Sequence, residues 1–236
     1  MIKFYAFDFD DNIMRVPSMI YMKNSNNETI PLTTEQFAQK RDNFKELGLK
    51  FFDDSFIDFR DEGNEKFLKA IETGNPAKAM DDFVECVNNA MIFAIITARG
   101  HSRKTLKEAI KKLIKLHKFG LDENKIKHNL NFLGFKSIDD YLDSCKFYPT
   151  TSFEFDAYFG TYDKTVEEKK TIAMRDFVRY CRIYSKNPSI IEKFGEEKAL
   201  GFSDDDIKNV YNMEKFLQQY NLDDFNKVSV KFTGEN

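Results

Sequence analysis

Ile2-Lys3-Phe4-Tyr5-Ala6-Phe7-Asp8-Phe9-Asp10-Asp11-Asn12-Ile13 is the stretch on which the reading of this chain turns. A short run of β-formers stops abruptly at a cluster of aspartates, the form of a buried strand with functional groups at its carboxyl end. Two later segments repeat it. Met91-Ile92-Phe93-Ala94-Ile95-Ile96 ends at Thr97-Ala98-Arg99-Gly100, and Lys198-Ala199-Leu200-Gly201-Phe202 ends at Ser203-Asp204-Asp205-Asp206. Further strands are expected over 145–148 and, as an alternating edge strand, over 228–232. Between them, 102–117 reads as an amphipathic helix with Leu106, Ala109, Ile110, Leu113 and Ile114 on one face, and 164–184 as a long helix. Strands separated by helices imply parallel crossovers, hence an α/β fold with a doubly wound parallel sheet covered on both faces. In such a sheet neighbouring carboxyl ends share one crevice, so the three polar strand ends should converge.

Residues 14–75 interrupt this pattern. Met19 to Met22 and Glu28 to Leu32 flank the turn-forming Lys23-Asn24-Ser25-Asn26-Asn27 and read as a hairpin. Thr34 precedes a helix expected over 35–47 with Gly48 as its stop, 51–63 is irregular and aromatic, and 64–73 is a second helix ended by Gly74-Asn75-Pro76. The expected organisation is a core of 1–13 and 76–236 with 14–75 as a small inserted cap.

The bulk properties set limits. At 236 residues, 42% hydrophobic and 32% charged, the chain can bury its own core. A net charge of −3 with interspersed signs excludes a chain-wide basic nucleic-acid footprint. No apolar run approaches the ~18 residues a membrane span needs, and no signal-peptide core follows Met1. Cys86, Cys145 and Cys181 fit neither a zinc pattern nor a disulfide framework and read as reduced, mostly buried thiols, so a cytoplasmic location is expected. No Walker-type glycine-rich loop is present, which argues against a kinase.

Four or five carboxylates in one crevice repel strongly at low dielectric, and they stay ionised together only beside a cation. Hard oxygen ligands favour Mg²⁺. Asp8-Phe9-Asp10-Asp11-Asn12-Ile13, Ile95-Ile96-Thr97 and Gly201-Phe202-Ser203-Asp204-Asp205 resemble, in order, motifs I, II and IV of the haloacid dehalogenase (HAD) superfamily. The resemblance implies an aspartyl-phosphate mechanism with Asp8 as nucleophile and Asp10 as general acid and base. It further implies Mg²⁺ held by the Asp8 side chain, the Asp10 carbonyl and Asp204, with Asp205 ligating directly or through water. Thr97 would hydrogen-bond a phosphoryl oxygen. A motif III lysine is best matched by Lys170, with Lys169 and Lys164 as competitors. Asn12 departs from the family's usual Thr or Val and is expected to contact the loop or substrate; Arg99, just past motif II, could grip a phosphate or nucleotide bidentately or serve a surface or packing role. Asp10 separates phosphatases from dehalogenases, which lack that acid. The implied activity is Mg²⁺-dependent hydrolysis of a phosphomonoester, such as a nucleotide, a phosphorylated nucleic-acid end or another small phosphate. The alternatives are a phosphomutase and a non-enzymatic binding or regulatory module.

Each sharp reading has a bland counterpart. Aspartates at strand ends also serve as turn residues and helix caps, and Asp206 could shift the acidic pair by one position. The basic residues from Arg103 to Lys118 suit either a polyanion or a solvated helix face. His101, His117 and His128 have no metal-ligand spacing.

Overall fold

The computed structural model of the protein describes residues 1–234. Its elements, in chain order, begin with β1 (Ile2–Phe7), β2 (Met14–Arg15), β3 (Ile20–Lys23), β4 (Thr29–Leu32), α1 (Thr34–Lys40), α2 (Asn64–Thr73) and β5 (Asn75–Pro76). They continue with α3 (Met80–Asn88), β6 (Phe93–Thr97), α4 (Arg103–Lys115), α5 (Glu123–Leu133), α6 (Ile138–Ser144) and β7 (Lys146–Pro149). The last are α7 (Phe153–Phe159), α8 (Val166–Tyr184), α9 (Pro188–Phe194), β8 (Lys198–Asp204), α10 (Ile207–Gln219) and β9 (Lys227–Phe232).

Five strands form one sheet in the order β7-β6-β1-β8-β9, every neighbouring pair parallel. The chain first builds outward from β1 to β6 and β7, then crosses back to place β8 and β9 on the other side of β1. The strand order therefore reverses between β1 and β8, the point where open α/β sheets form a crevice at their carboxyl ends. Helices cover both faces. Phe7 meets Phe83 of α3 edge-on at 5.5 Å, as does its same-face neighbour Phe93. Phe4, of opposite parity along β1, meets Tyr184 of α8 at 6.1 Å. β6 is buried at every position, which explains why its sequence is a continuous apolar run rather than an alternation.

Residues 14–75 leave and rejoin the sheet through one neck, the antiparallel pair of β2 and β5 (Met14 opposite Pro76). Their packing is divided. Ile20, Met22, Leu32, Phe44 and Phe59 form a small separate core under the β3–β4 hairpin, whereas Phe67 and Ile71 of α2 join the main core. Gly74 lets the neck close: a Cβ there would lie 2.8 Å from the Arg15 carbonyl oxygen.

Several boundaries differ from those expected. The helix expected over 35–47 ends at Lys40, followed by a single 3-10 turn at Arg41–Asn43. Asp42 and Asn43 compete for backbone hydrogen bonds and are poor helix formers. β8 runs two residues past Phe202, because Ser203 pairs with Phe7 and Asp204 with Phe232. Asp204 thus sits inside the sheet rather than in the loop after it. All three cysteines are free and buried. No helix among the described residues is long and apolar enough to cross a membrane.

Candidate active site

The carboxyl ends of β1, β6 and β8 deliver their polar residues to one cavity of about 170 Å³. Its floor includes Asp8, Asp10, Thr97, Lys170, Asp204 and Asp205, and Phe37, Phe56 and Phe59 from 14–75 form part of its roof. Asp8, Asp204 and Asp205 each bring a carboxylate oxygen within 4.8 Å of the others. The Lys170 ammonium lies between two of them, 2.8 Å from Asp8 Oδ1 and 2.7 Å from Asp204 Oδ2. A capping box at Thr165 and Glu168 fixes the start of α8 and so aims Lys170, one turn further on, into the crevice. Lys169 instead pairs with Asp156 at 2.6 Å and Lys164 lies on the exposed end beside Asp163.

The electrostatics are those of too few cations. Burial pushes the Asp8 carboxyl well above its ordinary range, and Asp204, Asp205 and Asp10 push further against the lowering effect of Lys170. Burial, then Asp204, raises Asp205 to about 7. For Lys170 burial acts the other way, favouring the neutral amine, but Asp204 and Asp8 outweigh it and its pKa is raised. Asp204 is otherwise fully held: its Oδ1 accepts from the Asp206 amide at 2.9 Å and from Asn209 Nδ2 at 3.1 Å. Among the described residues no side chain donates to Asp8 Oδ2 or to the Asp205 carboxylate, which is met only by its own backbone amide. Hard oxygen donors, close together, incompletely neutralised and with lone pairs to spare, fit a divalent cation such as Mg²⁺.

Arg99 and Asn12, the two candidates for substrate contact, take the other role open to each, packing for Arg99 and a loop contact for Asn12. Arg99 is wholly buried and grips Asp10 bidentately, Nε to Oδ2 at 2.8 Å and Nη2 to Oδ1 at 2.7 Å. Its Nη2 also donates to Ser18 Oγ at 3.0 Å and its Nη1 to the Asp58 carbonyl at 3.4 Å, and the guanidinium lies 4.1 Å from the Phe67 ring centroid. It is a clamp between the site and 14–75, with no face left for a substrate phosphate. Asn12 is likewise buried. Its amide donates to the Asp8 carbonyl (2.9 Å) and to Ser203 O and Oγ (3.1 and 3.0 Å), and its Oδ1 accepts from Thr233 at 2.7 Å. It ties the ends of β1, β8 and β9 together across the topological reversal, and its polar atoms are used up by the framework.

Asp11 reaches α1 instead of the acidic trio, accepting from the Thr34 hydroxyl in a left-handed turn (φ 57°). Thr97 is buried, and its Oγ1 accepts from the Arg99 amide at 3.3 Å. Asn209 and Arg41, which pairs with Asp206 at 2.9 Å, also line the cavity and had no motif to mark them. The basic face of α4 is largely met by carboxylates: Lys107 by Asp143, Lys111 by Asp139, Lys112 by Glu72. That is the solvated-face alternative. Comparison of the chain with protein-family models, with curated proteins and with solved structures gives no match.

Proposed function

We propose that the chain is a Mg²⁺-dependent phosphomonoester hydrolase of the HAD type, with 14–75 serving as a small cap. The observation that carries this reading is the meeting of Asp8, Asp204 and Asp205 within 4.8 Å, with Lys170 bridging Asp8 and Asp204. An ammonium held between two carboxylates is poised for a phosphoryl group, whose charge it would share in transit. Asp8, Asp204 and Asp205, with the Asp10 carbonyl, would hold the metal, which supplies charge compensation between the Asp8 carboxylate and an anionic substrate.

The chain's own groups account for the chemistry. An Asp8 carboxylate oxygen forms a bond to phosphorus while the ester P–O bond breaks, and a protonated Asp10 gives its proton to the leaving oxygen. Water then attacks phosphorus, Asp10 takes back a proton, and phosphate leaves Asp8 free. Thr97 orients a phosphoryl oxygen. Arg99 occupies both Asp10 oxygens at rest, so Asp10 must release one of those bonds to act.

The same pair favours a second reading, a phosphate-binding module in which Asp10 is purely structural. Hydrolysis of acetyl phosphate and an aryl phosphate by the purified protein separates the two. Turnover with Mg²⁺ that is abolished by EDTA and by Asp8→Asn supports the hydrolase. Mg²⁺-dependent phosphate binding without turnover leaves the binding module.

A further inference from the structure

A second cavity, about 440 Å³, opens directly from the acidic one and shares Phe37, Arg41, Phe56, Phe59, Ala98, Asp206 and Asn209 with its walls. Arg60, Thr151, Val166 and Glu167 complete it. It carries the same phenyl rings as its neighbour but lacks the converging carboxylates of Asp8, Asp204 and Asp205. Phe37 and Phe56 are only half-buried although both pack into the small core beneath the hairpin, meeting each other edge-on at 5.8 Å. The cleft is what leaves their outer surfaces uncovered. Its charges are balanced and partly spent: Arg41 on Asp206, Arg60 on the Asp53 carbonyl, with Glu167 opposite. A second phosphate would find no concentrated positive charge there. A sugar alone would leave the phenyl rings without an apolar partner, whereas a group that also carries a ring covers them and leaves Arg60, Thr151 and Glu167 to meet its hydroxyls.

Resting on the hydrolase reading of the adjoining site, we propose that this cleft receives an uncharged planar aromatic group on the leaving side of the phosphoester, so that the substrates are nucleoside monophosphates or aryl phosphates. The phosphoryl group sits over Asp8 and Lys170, and the ring lies against Phe37, Phe56 and Phe59 in offset or edge-on contact. The volume takes one nucleoside-sized group, which points to a free mononucleotide or small aryl ester rather than an oligonucleotide end.

The test compares kcat/KM for adenosine 5′-monophosphate, 1-naphthyl phosphate, glycerol 3-phosphate and a phosphotyrosine peptide. The cleft predicts at least a tenfold preference for the first two over glycerol 3-phosphate, and their ratio to each other tells nucleotide from aryl ester. Phe56→Leu, which keeps the small core filled, should cut that preference about fivefold. Val166→Asp changes only the α8 wall and should do the same by placing a charge in the cleft. A second readout does not need turnover. The chain contains no Trp, so binding of 1-naphthyl phosphate to the Asp8→Asn protein with Mg²⁺ is readable from the ligand's own fluorescence. Binding that Val166→Asp weakens fivefold or more supports the cleft even if no substrate turns over, and in that case only the hydrolase reading fails. Turnover without aromatic preference, a preference for the peptide alone, or naphthyl binding indifferent to Val166→Asp overturns the cleft and leaves the hydrolase standing.

Discussion

His101 is wholly buried, and neither ring nitrogen has a hydrogen-bond partner among the described residues. It stacks on Phe67 at 4.6 Å between ring centroids, the same ring that carries the Arg99 guanidinium. Burial, and then the charge of Arg99, lowers its pKa from 6.5 to about 3, against weaker raising by Asp61 and Asp58. The unfolded chain therefore takes up a proton below about pH 6.5 that the folded protein refuses until about pH 3, so stability falls as pH falls through that window. From pH 7 to pH 4.5 the uptake spans nearly two pH units, and at about 1.36 kcal/mol per unit this site alone removes about 2.5 kcal/mol. His101→Phe keeps the stack on Phe67 and deletes the titration. Urea unfolding followed by circular dichroism at both pH values checks the difference. The wild type should lose about 2.5 kcal/mol more than the variant, while acid losses from carboxylates cancel between them. The variant should be no less stable at pH 7, because two unsatisfied buried nitrogens are gone. Parallel losses in the two proteins would refute the reasoning and mean that His101 gains a partner or water in solution.

The acidic trio makes an opposite prediction. Asp205, raised to about 7, disfavours folding of the metal-free protein above its unfolded pKa, so Asp205→Asn should raise metal-free stability by about 1–3 kcal/mol at pH 8 and by nothing near pH 3. Mg²⁺ titration followed by thermal melting should raise the wild-type Tm and leave that variant nearly unmoved. Lys170→Met should abolish turnover and, by leaving Asp8 and Asp204 without their shared cation, cost about 3–5 kcal/mol in the metal-free protein, measured by urea unfolding. Arg99→Lys should fail to restore what Arg99→Met loses, since a single ammonium cannot reproduce the bidentate grip or the ring contacts; unfolding midpoints of both variants check this. At Gly63 an added Cβ would lie 2.6 Å from the Ile57 carbonyl oxygen, so Gly63→Ala should destabilise by about 1–3 kcal/mol in the same assay.

The sheet was readable because its inner strand β6 is buried on both faces, which leaves a run such as 91–96 that no surface element would carry. The hairpin was readable for a different reason, its Asn-rich turn. α5, α6, α7, α9 and α10 had no such advertisement: they are short or sparsely apolar, and packing against neighbours rather than periodicity decides them. At the site, spacing along single strands marked Asp8, Asp204 and Asp205, but it could not tell what Arg99 or Asn12 face. Arg99 looks from its position like a phosphate ligand, and its true partners lie 89 residues away at Asp10 and 81 away at Ser18. Choosing Lys170 over Lys169 likewise depended on helix phase, a difference of about 100° that only a fixed helix start resolves.

The Arg99 clamp also explains why 14–75 and the sheet must be considered as one device. A buried guanidinium is tolerable only if its donors are satisfied, and here they are shared between Asp10 in the loop after β1 and Ser18 and Asp58 at the base of the hairpin. Asp58 is itself buried, accepting from the Met19 amide at 2.9 Å and from Lys66. Any movement that lifts the hairpin away from the sheet would break the Ser18 and Asp58 bonds, leaving Arg99 more strongly committed to Asp10. Conversely, a ligand that draws the hairpin down strengthens those bonds and competes with Asp10 for the same guanidinium. The freedom of the proposed acid is thus tied to the position of the segment whose phenyl rings roof the cavity, and the link runs through one buried side chain, Arg99.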